Sequence, residues 1–176
     1  QRYGAAVWSG DIASTFEALA AQVRAGLNIG LSGIPWWTSD IGGFHGGDPD
    51  SPYFRELIVR WFQYGVFCPL FRVHGVREPS RGWDSGGPNE VWSFGDEAYA
   101  IIRDLLLLRE RLKPYVLAQM HAAAETGAPP MRPLFFDFPN DASCYDVEDQ
   151  FLFGADILVA PILDLGARSR PVYLPA

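Results

Sequence analysis

The chain has 176 residues, a formal net charge of −7, and Cys68 and Cys144 as its only thiols. That length buries one core and leaves room for part of a second unit, and two distant cysteines make neither a disulfide framework nor a zinc cluster. The acidic balance excludes nucleic acid as a partner, since phosphate binding needs clustered Lys and Arg, and no apolar run reaches the roughly 18 residues of a bilayer span.

Ala5, Ala6, Val7 and Trp8 make a strand-type run that Ser9-Gly10 turns out of, so Asp11 is predicted just past a strand end. Ser14 and Glu17 read as a capping box. Phe16, Leu19, Ala20, Val23 and Leu27 follow at helical spacing, with Gly26 as the stop. Ile29 to Trp37 reads as a strand buried on both faces, followed by a Gly- and Asp-rich loop from Asp40 to Asp50. Pro52 to Gly65 predicts a helix with Phe54, Leu57, Ile58, Trp61 and Phe62 on its apolar stripe.

Val66 to Phe71 is a third strand-like run, ending at Arg72 and His74, and Gly75 to Glu90 is a long loop. A long helix is predicted from Asp96 to Glu125, with Ile101, Ile102, Leu105, Leu108, Leu112, Tyr115 and Val116 in the core, and with Pro114 ending or kinking it. Met131 to Phe138 reads as strand. Beyond Pro139 only short strand-like runs recur, at Gln150–Phe153, Ile157–Ile162 and Pro171–Leu174. That change of texture predicts a boundary between residues 138 and 139.

Three strand-like runs ending in polar groups have the layout of an active site on a parallel α/β barrel. Asp11 alone is an ordinary turn former or helix cap. With Trp8 three residues earlier, it is also a candidate general acid, because an indole that desolvates a carboxyl raises its pKa. Asp40 opens Asp40-Ile41-Gly42-Gly43-Phe44, which is either an Asp-initiated turn over a buried ring or a clamp. In the clamp, the carboxylate takes sugar hydroxyls and Phe44 stacks on the pyranose face. Arg72 and His74 alternate at strand spacing and point one way, Arg72 toward a carboxylate and His74 toward a hydroxyl, or else serve a structural ion pair and nothing further. His45, His74 and His121 lack ligand spacing, so no metal or cofactor is expected. No phosphate-cradling glycine signature or Ser or Cys nucleophile motif is present.

Seven segments in order resemble glycoside hydrolase family 31, the retaining α-glucosidases and α-xylosidases. They are Trp8-Ser9-Gly10-Asp11, Gly33-Ile34-Pro35, Asp40-Ile41-Gly42-Gly43-Phe44, Arg60-Trp61, Arg72-Val73-His74, Arg132-Pro133-Leu134, and Gln150-Phe151-Leu152-Phe153-Gly154 with Val159-Ala160-Pro161. The resemblance implies that residues 1–138 are the later units of a (β/α)8 TIM barrel and that 139–176 begin a C-terminal β-sandwich. It implies Asp11 as general acid/base and Trp8, Asp40, Phe44 and His74 as residues around the cleaved sugar. Arg72 matches a family arginine of unassigned role. The family nucleophile, an aspartate on an earlier strand, matches no residue of this chain, nor does a substrate-binding arginine, since Arg2 lies too close to Asp11.

The expected function is therefore hydrolysis of an oligosaccharide or other α-glycoside by a longer protein, with the 176 residues alone inactive and prone to aggregate. An α-xyloside is the first expectation and an α-glucoside the second. The cue is Trp36-Trp37, with Trp37 placed to exclude a hydroxymethyl group, and the stretch from Trp61 to Phe71. The competing expectation is a carbohydrate-binding relative that keeps the sugar platform without the chemistry; a structural module leaves the polar strand ends unexplained.

Overall fold

In the computed structural model, which describes residues 4–79 and 86–176, the first chain segments pair in parallel through a helical crossover. β1 (Val7–Trp8) lies beside β2 (Trp37–Thr38), with Val7 opposite Trp37 and Trp8 opposite Thr38. Between them runs α1 (Phe16–Leu31), and α2 (Pro52–Gly65) and α3 (Asp96–Thr126) follow. The pattern is that of βα units of a parallel barrel. A three-stranded antiparallel sheet comes after it, in the order β3 (Met131–Arg132), β4 (Phe151–Phe153), β5 (Ile157–Val159). Arg2 and the middle of the loop expected over 75–90 lie outside the described residues.

α2 has the predicted bounds because Pro52 suits a helix's first turn and its apolar stripe buries Phe54, Leu57, Ile58, Trp61 and Phe62. α1 differs from expectation at both ends. Its cap is Thr15, whose Oγ1 accepts from the Ala18 amide at 3.1 Å. Ser14 is unavailable as a cap: its amide donates to the His45 carbonyl at 3.0 Å, and its hydroxyl accepts from Arg77 at 3.4 Å. Gly26 does not stop the helix, which continues to Leu31. A Cβ on Gly26 would stand 2.6 Å from Trp37 Nε1 and 3.0 Å from Met131 Sδ, so the glycine serves close packing instead.

The third expected strand shrinks to one parallel bridge, Ile41 with Val73. The carbonyls of Val66, Cys68 and Pro69 are taken by the guanidinium of Arg109 on α3, at 2.5, 2.9 and 3.0 Å, so they make no ladder. α3 runs through Pro114, and Ile101 is 38% exposed where a core residue was expected. Met131–Phe138 divides into β3 and the short helix α4 (Leu134–Asp137), because Pro133 ends the strand and caps the helix. Residues 171–174 form no strand; the Tyr173 backbone instead bonds to the Gln150 side chain, at 2.8 and 3.0 Å.

One core joins the two parts. Phe16, Leu19, Val23, Trp37, Trp61 and Tyr64 from the parallel units pack in the same buried cluster as Met131, Phe151 and Phe153. On the outer face, Glu56 of α2 accepts from Arg168 at 2.7 Å and the Gly166 amide at 3.1 Å, and Arg60 donates to the Ala167 carbonyl at 2.8 Å. This lacing ties the final segment to the helical layer.

Candidate active site

Main-chain hydrogen bonds bring the three polar segments to one end of the parallel units. Past β1, the Ile12 carbonyl accepts from the Phe44 and His45 amides at 2.7 and 3.0 Å. Past β2, the Ile41 amide donates to the Arg72 carbonyl at 3.2 Å, and the Phe44 carbonyl accepts from the Val76 amide at 2.8 Å. Asp11, the Asp40–Phe44 bend and Arg72–His74 therefore share one rim.

Asp40 is its electrostatic centre. It is 0% exposed, one carboxylate oxygen pairs with Arg72, and Oδ2 has no hydrogen-bond partner among the described residues. Burial pushes its pKa up, while Arg72 and His74 pull it down and the charge on Asp11 adds to the upward push. Ionised, Asp40 carries a buried acceptor just beneath the rim; protonated, it carries a donor there. Beneath it, Trp61 Nε1 donates to Ser39 Oγ at 3.0 Å, fixing the residue before the carboxylate.

Asp11 is exposed, on a bend that follows Gly10, whose φ of +77° needs no Cβ. Trp8 is 52% exposed, so within this chain its indole leaves the Asp11 carboxyl in contact with solvent. The indole meets Arg72, whose guanidinium carbon lies 6.0 Å from the ring centroid. Trp8, Arg72 and Asp40 thus form a chain of contacts, ring to cation to carboxylate. Phe44 is half-buried, with its ring against His74 at 5.4 Å and edge-on to His45 at 4.8 Å. These contacts hold an aromatic face and two imidazoles beside the carboxylates.

Trp37 does not belong to this rim. It is 3% exposed, and its Nε1 donates to Tyr64 Oη at 3.2 Å within the core. Its place under α1, against Gly26, packs the ring into the core and not at the exposed end of the parallel units.

The residue that sequence reasoning missed is Arg77, fully buried below the Asp40–Phe44 bend. Its only sequence signal is the glycine-rich stretch at 42–47, which exposes main-chain carbonyls in need of donors. Among the described residues no group of three or more His, Cys, Asp or Glu is arranged to hold a metal ion.

A carboxyl past one parallel strand, a buried carboxylate past the next and an Arg-His pair at the Ile41–Val73 bridge gather polar groups at one end of the parallel units, where barrel enzymes carry their active sites. The sequence matches the glycosyl hydrolases family 31 TIM-barrel domain over residues 1–119 and the family's C-terminal domain over residues 127–176. The chain belongs to glycoside hydrolase family 31. It is 40% identical over 176 residues to an α-xylosidase of Saccharolobus solfataricus, covering 100% of this chain and 23% of that protein. It is 40% identical over 179 residues to α-glucosidase 2 of Bacillus thermoamyloliquefaciens, covering 99% and 21%. A crystal structure of a family 31 α-xylosidase from a soil metagenome, complexed with xylose, superposes with a TM-score of 0.94 at 58% identity, over 99% of this chain and 27% of that one. The chain spans about a quarter or less of the length of these relatives.

Proposed function

We propose that the whole protein to which these residues belong is a retaining glycoside hydrolase that removes terminal α-linked sugars, with Asp11 as its general acid/base. The observation that carries the reading is the shared rim of Asp11, Asp40, Phe44 and His74 in a chain 58% identical to a xylose-bound α-xylosidase. In this mechanism Asp11 protonates the glycosidic oxygen as the leaving group departs. It then takes a proton from the water that releases the sugar from the enzyme. Its solvent-exposed position suits both steps, since leaving group and water must each reach it.

Asp40 accepts hydrogen bonds from hydroxyls of the cleaved sugar, Phe44 lies along that sugar's apolar face, and His74 donates to a further hydroxyl. Retention requires a second carboxyl about 5–5.5 Å from the acid. Asp40 is committed to Arg72, so the nucleophile is an aspartate on another strand of the whole barrel. An α-xyloside is the preferred substrate and an α-glucoside the second; the 58% identity to the α-xylosidase supports that order.

Asp11→Asn in the whole enzyme tests the assignment. Turnover of glycosides with poor leaving groups should fall about 100-fold or more, the usual worth of a positioned acid. Aryl glycosides with activated leaving groups, whose departure needs little protonation, should lose far less. Equal losses on both substrate classes would remove Asp11 from the role. Comparing wild-type rates on aryl α-xyloside and aryl α-glucoside tests the order of sugars, and a strong glucoside preference would reverse it.

A further inference from the structure

We propose that Arg77 is the positioning residue of the sugar site, its buried guanidinium holding the 41–46 bend so that Asp40 and Phe44 face the bound ring. The inference rests on the reading above, in which those two residues grip the sugar.

The geometry begins with the bend itself. Gly42 and Gly43 have φ values of +94° and +78°, a backbone path closed to most side chains. Such a bend turns several carbonyls inward, and the protein must satisfy them. Arg77 does so on both sides of the glycine pair. Nη1 donates to the carbonyls of Gly43 and Gly46 at 2.9 and 3.3 Å, and Nη2 donates to the Ile41 carbonyl at 3.3 Å.

The remaining donors tie the bend to its surroundings. Nη1 also reaches Ser14 Oγ at 3.4 Å, just ahead of α1, and Nε donates to Asn89 Oδ1 at 2.8 Å. Phe54 of α2 lies under the cation, 4.8 Å from ring centroid to guanidinium carbon. A Cβ on Gly42 or Gly75 would stand 2.8 or 3.0 Å from the guanidinium nitrogens, so the main chain closes directly on the group. Five N–H donors in a fixed plane fit this ring of acceptors, and the single ammonium of lysine does not.

Burying a cation is unfavourable, and the Arg77 guanidinium is pulled down to about 10 by that burial. The charge on Asp40 works in the opposite direction and favours the cation. Arg77 therefore supports Asp40 in two ways, by shaping the chain that follows it and by setting a positive charge behind it.

The test uses the whole enzyme as wild type and as Arg77→Lys, Asn89→Ala and Arg60→Lys. The assay is an aryl α-xyloside with an activated leaving group, and free D-xylose and D-glucose serve as competitive inhibitors. For Arg77→Lys, KM and the xylose inhibition constant should rise about tenfold or more with kcat changed far less, as expected when gripping groups shift by a fraction of an ångström. Asn89→Ala, which removes one acceptor, should move both in the same direction by less. Arg60→Lys, which loosens the Ala167 contact on the outer face, should lower the thermal midpoint without moving either. Wild-type inhibition constants in folded Arg77→Lys, or no larger a change than in Arg60→Lys, would overturn the proposal. If Arg77→Lys does not fold, wild-type constants in Asn89→Ala would do the same. A wild-type enzyme that neither turns over the glycoside nor binds the sugars would overturn the functional reading beneath it.

Discussion

Replacing Tyr64 by Phe isolates the contact that holds β2 under the site. The Tyr64 hydroxyl accepts from Trp37 Nε1 at 3.2 Å and donates to the Gln22 carbonyl at 3.0 Å. Both rings are buried, and burial pushes the phenol's pKa up, so the hydroxyl stays protonated. Phenylalanine fills the same space and opens no cavity, so the cost comes from hydrogen bonding. The Trp37 N–H is left unsatisfied in an apolar setting, worth about 1–3 kcal/mol. The Gln22 carbonyl keeps its helix bond and loses a second one, worth about 0.5–1.5 kcal/mol. Together the change should destabilise by about 1.5–4.5 kcal/mol.

Urea unfolding of the whole enzyme, followed by tryptophan emission, measures this as a lower midpoint at constant slope. The decisive comparison is a double-mutant cycle with Trp37→Phe, which deletes the N–H. In that background Tyr64→Phe should cost only the Gln22 term. An undiminished cost there, or a loss below about 0.5 kcal/mol in the single variant, would refute the stranded-donor account.

Further outcomes follow from charge and burial. Removing Arg72 as Arg72→Leu takes away a group that draws the Asp40 pKa down and leaves burial to push it up. The ionised acceptor is then present only at higher pH, so the acid limb of kcat/KM should move upward; an unmoved limb would show that Asp40 ionisation does not govern binding. The Cys68 thiol is pushed from an ordinary 9.0 to about 12 by burial. Its folded pKa is raised, so the stability it contributes is complete below about pH 9 and is lost as pH rises toward 12. Thermal midpoints should fall through that window, and less steeply in Cys68→Ala; the thiol should also resist a disulfide reagent at pH 8 until the protein unfolds.

Much of the site is legible along the chain because its residues follow apolar runs whose ends are marked by local chemistry. Asp11 follows Ser9-Gly10, Asp40 precedes a Gly-Gly bend, and Arg72 and His74 alternate; the same local rules give α2 its bounds. What depends on residues far apart in sequence is not legible that way. Gly26 looks like a helix stop until Trp37 and Met131 are packed against it, and Trp37 looks like a sugar-facing ring until Tyr64 takes its N–H. Val66–Phe71 looks like a strand until Arg109 takes its carbonyls. The order of polar and apolar residues along the chain thus determined the parallel βα units and the groups at their ends. Tertiary packing alone decided that Asp40 is buried against Arg72 and that Arg77 closes beneath the bend that follows it. Burial and hydrogen-bond satisfaction depend on neighbours that chain order does not name.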